Sequence, residues 1–321
     1  MQRPRITVVG SYATGLTMKV KRLPTAGETL LGSGYRVDFG GKGSNQAVGC
    51  ARLGAQVEFV ASIGQDSFGE MALGLYREEG VGIGGVKKSP DAPTGVGFIV
   101  VEESTGENCI VLDAAANELL TAAEVEARMA GVTGGVVMTQ LEIPVEAAEA
   151  AMRTGRAQGA TTILNPAPVR PLAADTLRLV DVLTPNQTEA RVLTGRAPDA
   201  ATGPQEVARE LIARGVKQVV MTLGEKGALI VTREGATHVA AEKMTAVDTT
   251  GAGDAFNAGL AVALASGENL EDAVRFAVVT GGLAVTKEGV IPALPRGEDV
   301  VQFYEKAGRR APEWLSASVR A

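Results

Sequence analysis

Apolar residues recur along this chain with two different periods. Arg5 to Val9 is a short apolar run of the kind that fills a buried strand, and it ends at Gly10-Ser11. Leu16 to Val20 and Glu28 to Phe39 alternate apolar and polar positions in part, and so do Thr94 to Val101 and Asn108 to Leu112. A period of two predicts strands whose sheet keeps one face in water. Ser44 to Leu53 predicts a helix, Val57 to Ile63 a strand and Ser67 to Glu79 a helix. After Asn117 strands and helices alternate regularly. Strands are predicted over Gly135–Gln140, Thr161–Leu164, Val180–Leu183 and Val219–Thr222, with helices over Thr121–Met129, Pro144–Ala157 and Glu206–Arg214 and one ending at Leu193. Ala228–Val231 and Thr237–Ala241 read as an antiparallel pair at the sheet edge. Two long helices, Asp254–Ala265 and Leu270–Thr286, close the core, Glu298–Gly308 is a final helix, and Arg309–Ala321 reads as a loose tail.

Alternating β and α units predict a mostly parallel sheet with helices on both faces. The alternating segments do not fit that rhythm. They predict one small sheet built from two excursions, 12–39 and 94–113, out of a core made of 1–11, 40–93 and 114–310, with 311–321 as a tail. Such a sheet over the strand ends is a candidate lid, and its open apolar face a candidate homodimer surface.

Composition narrows the partners. The 321 residues carry a net charge of −6, and no basic run occurs. Nucleic acid and anionic membrane surfaces are therefore poor partners. Any bound anion must be held locally by backbone amides and a few cations. Cys50 and Cys109 are the only cysteines and His238 the only histidine, which argues against a disulfide framework, a metal-cysteine site and histidine-based catalysis. No secretory leader is evident and no apolar run approaches the ~18 residues of a membrane span. A reducing cytoplasm is the expected compartment.

Five stretches could carry chemistry at the carboxyl edge of such a sheet. Gly40-Gly41-Lys42-Gly43-Ser44-Asn45 combines room for close approach with polar reach, or is a glycine turn before a helix. Gln140-Leu141-Glu142 sets a carboxylate past a strand end. In Thr184-Pro185-Asn186-Gln187-Thr188-Glu189, Asn186 and Glu189 have the spacing of a capping box. Thr222-Leu223-Gly224-Glu225-Lys226-Gly227 is a strand-to-strand turn or a nucleotide-wrapping loop. Asp248-Thr249-Thr250-Gly251-Ala252-Gly253-Asp254 leads into a helix, whose start attracts anions. Asp254 could cap that helix, or act as a base beside a phosphate.

Together and in this order, the four glycine- or asparagine-bearing loops resemble the ribokinase family of PfkB-type carbohydrate kinases, from Val8 to about Pro295. The resemblance implies a three-layer α/β/α fold of the ribokinase type with a β lid. It also implies ATP-dependent phosphorylation of a primary hydroxyl of a small sugar, with D-ribose the leading acceptor. Asp254 would be the general base, and Gly251, Ala252 and Gly253 an anion hole. Gly41, Lys42, Gly43, Asn45 and Glu142 match sugar-contacting positions. Asn186, Thr222, Leu223, Gly224, Glu225, Lys226, Gly227 and Gly253 match nucleotide contacts, and Glu189 a position linked indirectly to Mg²⁺. Asp248 and Thr250, with backbone carbonyls near Ala284, Lys287 and Gly289, match a site for a monovalent cation, K⁺.

One departure bears on the acceptor. Similar chains continue Gly-Ser-x-Asn-x-Asp after the first strand, the Asn and Asp holding secondary hydroxyls of the sugar. Here Ala13 and Gly15 stand at those positions. Losing two hydrogen-bond partners weakens recognition of a hydroxylated ligand. Asp38 and Asp113 are candidates to compensate. Otherwise the pocket serves a nucleoside, a ketohexose or another polyol, or the protein is a sugar or nucleotide sensor without turnover.

Overall fold

The computed structural model describes residues 3–319; the first two residues of the expected core and the last two of the expected tail lie outside them. In chain order the strands are β1 (Arg5–Val9), β2 (Ala13–Val20), β3 (Ser33–Gly40), β4 (Gln56–Gly64), β5 (Gly82–Ser89), β6 (Val96–Glu102), β7 (Asn108–Asp113), β8 (Val136–Thr139), β9 (Thr161–Leu164), β10 (Val182–Leu183), β11 (Gln218–Thr222), β12 (Ala228–Val231) and β13 (Ala236–Val239). The helices are α1 (Lys42–Arg52), α2 (Ser67–Glu78), α3 (Ala122–Arg128), α4 (Val145–Ala157), α5 (Ala174–Arg178), α6 (Gln187–Leu193), α7 (Pro204–Ala213), α8 (Ala252–Ala265), α9 (Leu270–Ala284), α10 (Gly297–Lys306) and α11 (Glu313–Val319).

Among the described residues, nine strands form one sheet in the order β13-β12-β11-β10-β9-β8-β1-β4-β5. β12 alone runs opposite to the other strands of this sheet. Successive side chains of a strand point to opposite faces. Accordingly Ile6, Val8 and Met138 pack with the helices α1, α8 and α9, while Val9 and Val137 pack with α3 and α4. The result is three layers. Helix α8 is apolar nearly all round and buried from Asp254 to Ala263, as a helix in the middle of a large core must be.

A second sheet holds β3-β2-β6-β7, assembled from the two predicted excursions. Its first strand starts earlier than the alternation suggests, at Ala13, and its second later, at Ser33, with residues 21–32 outside any strand. Arg36, on the same face as Asp38, reaches Glu288 of the core at 3.0 Å, so that face looks onto the core. The opposite face carries the exposed Met18, Tyr35, Phe98 and Val111.

One strand is unforeseen and one expectation fails. β5 is an edge strand paired in parallel with β4, and the sequence hid it behind Gly82, Gly84 and Gly85. Glycine weakens strand signals, yet a Cβ at Gly85 would lie 2.6 Å from the Phe59 carbonyl oxygen, so close backbone approach explains it. The tail is not loose: α11 buries Leu315, and the Trp314 ring stands 5.0 Å from that of Phe276. Trp314 Nε1 also donates to Glu268 at 2.9 Å. No helix among the described residues is long and apolar enough to cross a membrane.

Candidate active site

The parallel strands deliver their polar residues to one edge. Gly10-Ser11 follows β1, Glu142 follows β8, Asn165 follows β9, Asn186 follows β10 and Thr222 ends β11. Helix α1 starts against the first of these. Gly41, its N-cap, has φ 88°, and Cβ atoms at Gly41 and Gly43 would sit 2.7 Å from Tyr12 Cα and 2.5 Å from the Ser11 amide nitrogen. The close approach that these glycines permit is therefore by the chain's own backbone.

That contact fixes a carboxylate. Glu142 accepts from Ser11 Oγ at 2.5 Å and from the Lys42 amide at 2.8 Å. Lys42 sends its ammonium into the same region. Burial works against its charge, but Asp254, Glu142 and Glu189 outweigh this and raise its pKa.

Asp254 occupies the first turn of α8, and it does not cap that helix. Its two oxygens accept from side chains of α1, Oδ2 from Asn45 Nδ2 at 2.8 Å and Oδ1 from Gln46 Nε2 at 2.9 Å. The residue is 6% exposed. Burial raises its pKa against the pull of Lys42, Asn45 and Gln46, and Glu142 adds to the rise. A buried carboxylate held this way is a stronger proton acceptor than one in water. The turn before it uses Gly251 with φ 78° as the N-cap. A Cβ at Gly253 would meet nothing within 4 Å, so the helix start, with its partial positive charge, opens onto free space. An anion fits there.

On the neighbouring strands, Asn186 and Glu189 cap each other: the Asn186 amide donates to Glu189 and the Glu189 amide to Asn186, both at 2.8 Å. Burial raises the Glu189 pKa, opposed by the Asn186 amide and Lys42. The turn 222–227 closes through Leu223 N to the Gly227 carbonyl at 2.8 Å. His238 braces it from β13, its Nε2 2.7 Å from the Lys226 carbonyl oxygen. Gly224 faces open space, whereas Glu225 and Lys226 are exposed.

Asp248 ties two loops together, accepting from the Thr250 amide at 2.9 Å and the Gly289 amide at 3.0 Å. Burial pushes its pKa up, but the Thr250 and Gly289 hydrogen bonds prevail and lower it. No group of three or more His, Cys, Asp or Glu among the described residues could hold a metal. A cation between these loops would depend on Asp248, Thr250 and the backbone carbonyls near Ala284, Lys287 and Gly289. That all-oxygen donor set suits a hard ion.

The lid faces this edge with Asp38, which pairs across the strands with Gly15. A Cβ at Gly15 would lie 3.6 Å from Asp38 Cβ, so the Asp38 carboxylate stands beside the position where Gly15 lacks one. Thr17 Oγ1 and Arg36 Nε hold it at 3.3 and 3.2 Å. Asp113 instead turns to the Ala115 amide at 3.0 Å.

The motifs pick out the residues at the edge; of those behind it they include Gln140 and Thr184 without giving either a role, and they leave out Gln46 and Asn257. Gln46, Gln140, Thr184 and Asn257 are buried and linked by hydrogen bonds to the site residues or to one another's neighbours. The available signal was a carboxamide or hydroxyl inside an otherwise small or apolar run.

Residues 3–296 match the pfkB family carbohydrate kinase family. The chain is 36% identical over 307 residues to a ribokinase of Haemophilus influenzae, covering 95% of this chain and 100% of that one. It is 38% identical over 301 residues to a ribokinase of Schizosaccharomyces pombe, covering 90% and 94%. The solved structure of Arabidopsis thaliana ribokinase complexed with ribose and ATP superposes with a TM-score of 0.85 at 29% identity, covering 94% of this chain and 98% of that one. With a matching profile over nearly its whole length and the fold to go with it, this chain belongs to the pfkB family of carbohydrate kinases.

Proposed function

We propose that this protein transfers the γ-phosphoryl group of ATP to a primary hydroxyl of a small sugar, with D-ribose the leading acceptor. The observation that carries the reading is the buried Asp254 carboxylate, turned away from its own helix and held by two neutral amides beside an open helix start. Asp254 would take the proton from the attacking hydroxyl as the oxygen–phosphorus bond forms. The amides of Gly251, Ala252 and Gly253 would meet charge on the transferring group. Lys42 would add a positive charge on the acceptor side, with Gly41, Gly43, Asn45 and Glu142 lining it. The turn Thr222 to Gly227, with Asn186, would hold the nucleotide. Mg²⁺ bound with the nucleotide would neutralise phosphate charge, with Glu189 acting on it indirectly. K⁺ held by Asp248, Thr250 and the carbonyls near Ala284, Lys287 and Gly289 would brace the loop before the anion hole.

A second acceptor reading has its own support. Ala13 and Gly15 offer no hydrogen bonds, and Asp38 stands across the strands from Gly15. Either Asp38 restores recognition of ribose, or the pocket selects another polyol. ADP release over pentoses, hexoses and nucleosides, with K⁺ or Na⁺, distinguishes them. Turnover is expected to be highest with ribose and K⁺; binding without turnover by any acceptor would identify a sensor. Asp38→Ala is expected to raise the acceptor KM about tenfold, one lost hydrogen bond to a charged group, with the ATP KM unchanged. An unmoved acceptor KM removes Asp38 from the pocket.

The outer lid face, with Met18, Tyr35, Phe98 and Val111 exposed, would seat a second copy of the chain. Size exclusion giving a monomer at every concentration rejects that dimer.

A further inference from the structure

Gln46 would touch neither substrate, yet it is fully buried and each polar atom of its side chain has a partner. Nε2 donates to Asp254 Oδ1 at 2.9 Å and to Asn165 Oδ1 at 3.1 Å. Oε1 accepts from Gln140 Nε2 at 2.5 Å. Asn165 is itself oriented, since its Nδ2 donates to the Thr184 carbonyl at 3.1 Å. Since an ionised Asp254 carboxylate can only accept and Asn165 presents its oxygen, it is the nitrogen of Gln46 that faces both. At the far end of the chain of amides Gln140 Oε1 is buried without a hydrogen-bond partner, and a Cβ at Gly10 would lie 2.2 Å from it. Gly10, which the sequence offers only as a strand end, thus leaves the space that Gln140 fills.

We infer that Gln46 is the positioning residue of Asp254, holding its carboxylate in place and in the ionised form through the linked carboxamides of Gln140, Gln46 and Asn165. The inference rests on the reading of Asp254 as the base. A neutral amide suits this task. It stabilises the anion against burial without giving up a proton, whereas a cation in direct contact would make the carboxylate a poor base. The charged groups facing Asp254 are Lys42 from α1 and Glu142 from the loop after β8, together with the start of α8 itself. They remain in place when Gln46 is replaced. A residue that only filled space would need no such set of partners, and an apolar side chain of equal volume would serve.

Gln46→Met tests this. The variant is expected to lose about tenfold to a hundredfold in kcat, the scale of a misplaced reacting group. KM for ATP and for the acceptor should stay within about twofold. The acidic limb of the kcat/KM profile should move up by about one pH unit, the size of one hydrogen bond to a charged group. Wild-type kcat with an unmoved acidic limb overturns the inference, and so does a higher KM at unchanged kcat, which would make Gln46 a binding residue. If Asp254→Asn keeps wild-type turnover, the base reading fails instead, and the two failures are told apart. Should Gln46→Met not fold, Gln140→Met carries the test, because it frees the Gln46 carbonyl while leaving Asp254 both donors. A smaller kcat loss with the limb moved the same way supports the inference, and a wild-type profile overturns it.

Discussion

Asp254→Asn is expected to lower kcat by about 10²- to 10⁴-fold, the contribution of a positioned general base. KM should change little, because Asn45, Lys42 and Glu142 still line the acceptor side. The same substitution has a signature in stability. Burial raises the Asp254 pKa in the folded protein. Between its unfolded and folded values the folded state holds the extra proton, so stability falls as pH rises through that window and levels off above it. As the proposed base, Asp254 must be deprotonated for turnover, so the protein would work where this residue is least favourable to the fold. Asp254→Asn should remove that slope, read as thermal unfolding followed from acid to neutral pH. Turnover near wild type, or an unchanged slope, would rule out an ionised buried base at this position.

Gly251→Ala is the second large expected effect, and it has two separate causes. The N-cap of α8 sits at φ 78°, where a non-glycine residue costs about 1–2 kcal/mol. A Cβ there would also lie 2.8 Å from Val290 Cγ1, so the helix start must shift or Val290 must give. The Gly251 carbonyl accepts the first helical bond, from Ala255 at 2.9 Å, and moves with it. A displacement of about 1 Å in the proposed anion hole is enough for about a hundredfold loss in kcat. The loss should come with a lower Tm. Adding Val290→Ala should recover part of both, since it relieves the contact and leaves the backbone strain. Wild-type kcat and Tm for Gly251→Ala alone would contradict both causes.

The sequence and the structure agree where periodicity and motif order reinforce one another. The alternation of period two separated the lid from the core, and the glycine-bearing loops all reach one sheet edge. Agreement stops where a residue type supports two geometries. Asn186 and Glu189 have capping-box spacing and do cap each other. Asp254 looked equally suited to capping, but its carboxylate turns to α1, and nothing in the local run Gly251 to Asp254 could reveal an amide donor some two hundred residues earlier. Gln46 was hidden in the same way, since its partners Gln140, Asn165 and Asp254 come from three other parts of the chain. β5 and α11 escaped for simpler reasons: glycines masked the one, and the other depends on Trp314 finding Phe276.

The lid also has a history within folding. β2 pairs in parallel with β6 from Thr14 opposite Val96 to Val20 opposite Glu102, while α1, β4, α2 and β5 of the core lie between them in the chain. Closing so long a loop is entropically unfavourable until the intervening core has brought its ends together. The lid sheet therefore depends on the core and not the reverse. Its outer strand β7 is exposed along its whole length, whereas α8 is buried from Asp254 to Ala263. In hydrogen exchange the first amides to lose protection should be those of the lid and the last those around Asp254. The proposed base would then lie in the most persistent part of the molecule, and the carboxylate of Asp38 on the sheet that loses protection first.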